Sequence, residues 1–199
     1  MSNEGLWKQL LELDGRECAR RADCQYIENP PYFVIRFLNK DYRVEFNNKE
    51  IHSVEDSSKA GFSEQLCILT YLINSKNISV TGRLTKAESL PNGQFFFRGP
   101  HPLPTDKLSA AFGQKPELLL KIANMFNAKK CDFGDSSIRL DVLPRVPLTI
   151  VIWIADEEFP ARASILFDET AAQQMPLDGL WMATKVTAKA LIKAAESVR

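Results

Sequence analysis

The chain has 199 residues, 45% hydrophobic and 25% charged, enough to bury roughly 70% of the surface of its unfolded form; this excludes a disordered, collagenous or coiled-coil polypeptide. Its 25 Lys and Arg balance its 25 Asp and Glu, and a net charge of zero disfavours binding along a phosphate backbone, so no nucleic-acid partner is expected. The longest apolar run, Val146 to Ala155, is about half the length of a membrane-spanning helix. The N-terminus lacks the basic start and apolar stretch of a secretory signal, so the expectation is one cytoplasmic domain over residues 1–199, with no membrane partner.

In chain order, Leu6, Leu10 and Leu13 recur at helical spacing and predict a helix over residues 4–22, weakened by Gly15. Asn29-Pro30-Pro31 ends it. Tyr32 to Leu38, rich in aromatic and β-branched residues, reads as a strand. A turn at Asn39-Lys40 leads to a second strand, Tyr42 to Phe46, and Asn47-Asn48 to a third, Lys49 to Val54, making residues 32–54 an antiparallel meander. Leu66, Leu69 and Ile73 mark a helix over 63–74.

Thr85 and Glu88 have the spacing of a capping box and predict a single helical turn stopped by Pro91. Asn92-Gly93 is a turn signal, and Gln94 to Arg98, with three consecutive phenylalanines, reads as a short strand. The proline loop Gly99 to Pro104 precedes a helix over 105–112. A further helix begins at Pro116, with Leu118, Ile122, Met125 and Phe126 as its stripe. Cys131 to Gly134 and Ile138 to Leu143 read as strands. Leu148 to Ala155 shows almost no alternation and belongs at the centre of the sheet. Arg162 to Phe167 is the return strand, and Asp168 opens a short helix. The last helix carries Leu177, Leu180, Trp181, Thr184, Ala188, Leu191, Ile192 and Ala195 in one stripe, flanked by Lys185, Lys189 and Lys193, and is expected to lie on the sheet. The fold class is therefore α+β, a single domain with a mainly antiparallel sheet of six to eight strands and helices packed mostly on one face.

The chain contains no phosphate-binding glycine loop, no dinucleotide fingerprint, no G-x-S-x-G elbow and no H-E-x-x-H helix. Cys18, Cys24, Cys67 and Cys131 form no C-x-x-C pair and read as free thiols. Of the two histidines, His52 falls on a strand, whereas His101 is held in the stiff proline loop and is a candidate ligand-binding residue. The strongest cluster follows the apolar strand: Trp153, then Asp156-Glu157-Glu158. In extended chain Asp156 and Glu158 share a face and can hold a hard cation or divide acid and base roles. Arg145, flanked by prolines, can present a rigid guanidinium to that turn or to an anionic ligand.

The run from Leu143 to Leu180 contains L-P-x-x-P-L at Leu143 to Leu148, then Trp153, then D-E-E-F-P-A at Asp156 to Ala161 and I-L-F-D at Ile165 to Asp168. It resembles the C-terminal signature of the domain of unknown function 3786 family, and Tyr32 to Phe46, Leu66 to Ile73 and Leu90 to Gly93 are similar to earlier parts of that family. The resemblance implies a protein of anaerobic bacteria or archaea and supplies no catalytic residues. Some members carry an added four-iron module, whose cysteine run this chain lacks. Three readings follow. The first is a non-catalytic ligand- or cofactor-binding accessory protein, its partner an unidentified small molecule or protein, with a pocket at Trp153, Asp156, Glu158, His101 and Arg145. The second is a divalent-metal-dependent enzyme using Asp156 and Glu158 with Asp135, Asp141 or Asp168. The third is a protein–protein interaction module docking through Phe95 to Phe97. No cofactor is assigned.

Overall fold

The computed structural model describes residues 3–198. The chain is one α+β body built on two antiparallel sheets. The predicted first helix is two helices, α1 (Glu4–Leu11) and α2 (Gly15–Ala22). Asp14 causes the break, because its carboxylate accepts the Glu17 N–H at 2.8 Å and caps the second helix. Gly15 lets Tyr26 pack close, since a Cβ there would lie 2.4 Å from the ring and displace it. Tyr26 belongs to β1 (Gln25–Glu28), a short edge strand with no alternation to betray it in the sequence.

The meander follows as expected: β2 (Pro31–Phe37), β3 (Lys40–Glu45) and β4 (Glu50–Ser53), giving the sheet order β1-β2-β3-β4. The β2–β3 turn is Leu38-Asn39 rather than Asn39-Lys40; both residues adopt left-handed φ, 48° and 64°, as a two-residue hairpin demands. Phe33, Ile35, Phe37, Val44 and Ile51 turn one face of this sheet into the core. The Leu38 N–H donates to the Val142 carbonyl at 3.0 Å, joining the two sheets.

The second sheet has the order β5-β9-β8-β7-β6, from β5 (Leu84–Lys86), β6 (Lys129–Lys130), β7 (Ser136–Leu143), β8 (Val146–Trp153) and β9 (Arg162–Asp168). β8 is central, and every residue in it but Trp153 is buried. Cys131 to Gly134 is not a strand: Gly134 takes φ +57° and turns the chain against the Ile152 carbonyl. The capping box at Thr85 does not form, because pairing with β9 draws Thr85 into a strand opposite Phe167. Only a 3₁₀ turn follows, at Ala87–Ser89.

The predicted Gln94 to Arg98 strand is a helix, α4 (Gly93–Arg98). Asn92 has φ 61°, and a Cβ on Gly93 would lie 2.0 Å from the Ala87 carbonyl oxygen, so the chain turns back too tightly for a strand. The three phenylalanines then point in three directions, as a helical rotation requires: Phe97 inward against Phe167, Phe96 onto His101 and Phe95 into solvent.

The remaining helices are α3 (Phe62–Asn74), α5 (Thr105–Phe112), α6 (Glu117–Ile122), α7 (Ala171–Gln174) and α8 (Leu177–Ser197). After α6 the chain tightens to a 3₁₀ turn at Ala123–Phe126, which swings Met125 outward while Leu119 becomes fully buried. Helices α5, α6 and α7 contact the five-stranded sheet; α8 packs on α3, α5, α6 and α7 instead of directly on strands as expected. Its Ala183, Ala188 and Ala195 are buried and allow that close helix–helix approach.

Candidate functional site

The acidic turn is organised from within. Asp156 Oδ1 accepts the Glu158 and Phe159 N–H groups at 2.9 and 2.7 Å, and the Asp156 N–H donates to the Phe159 carbonyl at 3.0 Å. One oxygen of the predicted metal ligand is thus committed to its own backbone, and Asp156, Glu157 and Glu158 are all exposed. The other acids grouped with this turn serve separately. Asp135 Oδ2 accepts the Ile154 N–H at 2.9 Å. Asp141 lies 3.4 Å from Arg139. Asp168 is buried on β9. Among the described residues no three His, Cys, Asp or Glu side chains are grouped so as to hold a metal ion. Trp153 ends β8 with the Arg162 guanidinium stacked 4.7 Å from its ring centroid.

Arg145 sits at the other end of β8, roughly 24 Å of extended strand from Trp153, and does not meet the acidic turn. It holds the irregular segment after α3. Its Nε donates to the Arg21 carbonyl at 3.0 Å, its Nη2 to Asn77 Oδ1 at 3.0 Å and its Nη1 to the Ile78 carbonyl at 3.4 Å. Gln174, fully buried, grips the same segment through the Lys76 N–H and the Ile78 carbonyl. Arg21 donates to the Ser75 carbonyl. Segment 75–83 has few backbone partners of its own, and these side chains supply them.

Asp168 closes that segment. Its carboxylate accepts from the Gly82 N–H (2.7 Å), the Thr170 hydroxyl (2.7 Å) and N–H (3.1 Å), and the Thr81 hydroxyl and N–H (3.2 and 3.3 Å). Burial alone would raise this carboxyl's pKa, but the bonds from Thr170, Gly82 and Thr81 outweigh it and hold it below the ordinary value.

His101 belongs to an aromatic cluster at the start of α8. Its ring stacks on Phe96 at 4.2 Å and meets Trp181 edge-on at 4.9 Å. Trp181 Nε1 donates to the Pro102 carbonyl at 3.0 Å and so ties the proline loop to α8. His101 Nδ1 is buried without a hydrogen-bond partner. A shallow hollow of about 400 Å³ beside it is lined by Phe95, Phe96, Pro100 and Leu177. Phe97 of the same cluster packs on Phe167, at the end of β9 remote from the acidic turn. The acidic turn therefore lies apart from both His101 and Arg145, whose own contacts have no residue in common.

On the other side of the proline loop lies a groove of about 760 Å³ between the first turn of α3, the start of α5 and the outer face of α8. Its apolar lining includes Phe62, Met182, Val186 and Ile192. Lys107 of α5 stands across from Lys185, Lys189 and Lys193, which repeat every four residues along α8, about 6 Å apart. None of these four lysines makes an ion pair among the described residues; Lys185 lies 4.2 Å over the Trp181 ring. Glu64 turns back to accept the Gly61 N–H, so the groove's positive charge comes from the lysines, not from an open helix end. Glu64 and Glu196 are its two acids. The lysine ladder was visible in the sequence as a charged flank, but its partners come from residues 61–64 and 104–107, which no local pattern connects to it.

Compared with known proteins, the chain matches over residues 14–190 the model of a family described as "Domain of unknown function (DUF3786)". No curated protein matches, and no solved structure matches. No helix among the described residues is long and apolar enough to cross a membrane.

Proposed function

The chain belongs to the DUF3786 family, and from that premise we propose that it is a non-catalytic binding protein of the cytoplasm, its ligand a small amphipathic anion seated in the groove between α3, α5 and α8. The observation that carries this reading is the pairing of four lysines, none in an ion pair among the described residues, with an apolar floor in a hollow of about 760 Å³, a volume suited to an organic ligand of cofactor size. An anion carrying an apolar body gains from both: its charge from Lys107, Lys185, Lys189 and Lys193, its body from Phe62, Met182, Val186 and Ile192. The four free cysteines agree with a reducing compartment. The acidic turn, with one oxygen of Asp156 tied to its backbone, is the weaker place for a ligand.

The test is a fluorescence titration with 8-anilinonaphthalene-1-sulfonate, an aromatic anion of suitable shape. The native protein binds it saturably, and Lys189→Glu with Lys193→Glu weakens binding roughly tenfold, two reversed charges each acting at a partly exposed site. The uncharged parent arene binds poorly. Equal binding by native and reversed protein, or by the arene and its sulfonate, would overturn the reading.

A further inference from the structure

We propose that the groove also accepts the acidic hairpin tip of a second copy of this chain, an inference that rests on the groove being an anion site. Two surfaces of opposite chemistry stand apart on a chain of zero net charge. One is the tip between β8 and β9, where Asp156, Glu157 and Glu158 are exposed and make no ion pair among the described residues. The other is the groove, with its four lysines likewise unpaired. Each surface also offers apolar area beside its charge: Ile154 is 44% and Phe159 60% exposed on the tip, and Phe62 is 38% exposed at the groove. Exposed aromatic side chains ringed by charge are the usual mark of an interface.

The backbone of the tip is already hydrogen-bonded in the unbound chain. Asp156 fixes the turn through the Glu158 and Phe159 N–H groups, and Asp135 fixes its base through the Ile154 N–H. Glu157, Glu158 and Phe159 are thus presented at little cost in ordering. Among the described residues the tip makes no ion pair with its own groove. It is anchored where Ala161 approaches Gly113, just past the end of α5, whereas the groove begins at Pro104 and Lys107, at the start of that helix. Six residues separate Lys107 from Gly113 along the helix, about 9 Å. The contact is therefore between copies, and because two different patches meet, it is head-to-tail and does not stop at a dimer unless a ring closes. A tip of a few residues makes a small interface, so association is weak and salt-sensitive.

Sedimentation velocity of the full chain tests this, between about 10 and about 300 µM, in about 0.02 M and about 0.5 M salt. The expected result is a weight-average mass that climbs past that of a dimer at low salt and returns to the monomer at high salt. Glu157→Lys with Glu158→Lys abolishes the climb, and so does Lys189→Glu with Lys193→Glu. An equimolar mixture of the two variants restores it, because each reversed surface then meets its new complement. A native chain that stays monomeric throughout overturns the proposal, as does association that survives reversal of the tip. Anilinonaphthalene sulfonate titrations on the same samples separate the two readings. Monomeric protein that still binds the probe through its lysines refutes only the second-copy contact. Loss of all lysine-dependent probe binding refutes the anion site on which this contact rests.

Discussion

Replacing Asp168 with Asn isolates what one buried carboxylate contributes to this fold. The native side chain accepts from five donors, three backbone N–H groups and two threonine hydroxyls. An amide of the same shape keeps one acceptor oxygen and turns an NH₂ towards donors, so either the Gly82 or the Thr170 N–H is left facing another donor. Losing the charge-assisted part of such bonds costs about 1.5–3 kcal/mol, and stranding a buried N–H costs about 1–3 kcal/mol. With partial relaxation the expected loss is about 3 kcal/mol, or roughly 6–12 °C in Tm for a chain of this size. The pH dependence has a definite sign. The folded-state pKa is depressed, so the stabilisation is fully present above the unfolded value near ~3.9 and is lost as pH falls through the folded value. Urea unfolding at neutral pH and again at about pH 3 measures both: the gap between native and Asp168→Asn protein is wide at neutral pH and narrows in acid. A variant within about 0.5 kcal/mol of native at neutral pH would refute the view that Asp168 latches residues 81–82 to β9.

Two further outcomes follow from the same contacts. Arg145→Met removes three side-chain bonds to the 21 and 77–78 backbone and side chain. It should cost about 2 kcal/mol and speed amide exchange across residues 75–83 while leaving α8 protected, measurable by hydrogen exchange with mass spectrometry. Burial pushes the Cys18 thiol up to about 11 and the Cys24 and Cys67 thiols up to about 12. Burial raises the Cys131 thiol too, but less, so at mildly alkaline pH a disulfide reagent should modify Cys131 first, half-buried Cys24 more slowly, and buried Cys18 and Cys67 only as the protein opens. Prompt reaction of more than one thiol would count against this packing.

Elements whose hydrophobic period is long and unbroken were legible in the sequence. The uniform apolar run of β8 placed it at the sheet centre, and the stripe from Leu180 to Ala195 defined α8. Contacts distant in sequence decided the rest. Gln94 to Arg98 has strand composition, yet the backbone approach of Gly93 to Ala87 makes it helical. Leu84 to Lys86 has a capping signal, yet the open edge of β9 takes it as a strand. The candidate site shows the same division. The charges of Lys185, Lys189 and Lys193 and their spacing were plain, but only the fold sets them opposite Lys107 and above Phe62. Arg145 was expected to face the acidic turn or an anion, but its acceptors, residues 21 and 77–78, lie too far along the chain for any spacing rule to identify.

The central claim is that the lysine-lined groove is where an amphipathic anion binds. Proton–nitrogen correlation NMR of the labelled chain, titrated with anilinonaphthalene sulfonate, locates that binding residue by residue. The account predicts saturating shifts at Phe62 to Glu64, Lys107 and Met182 to Lys193, with the Trp153 to Phe159 tip and the Phe95 to His101 cluster responding little at low protein concentration. Shifts centred on that tip or that cluster, with α8 silent, would contradict it.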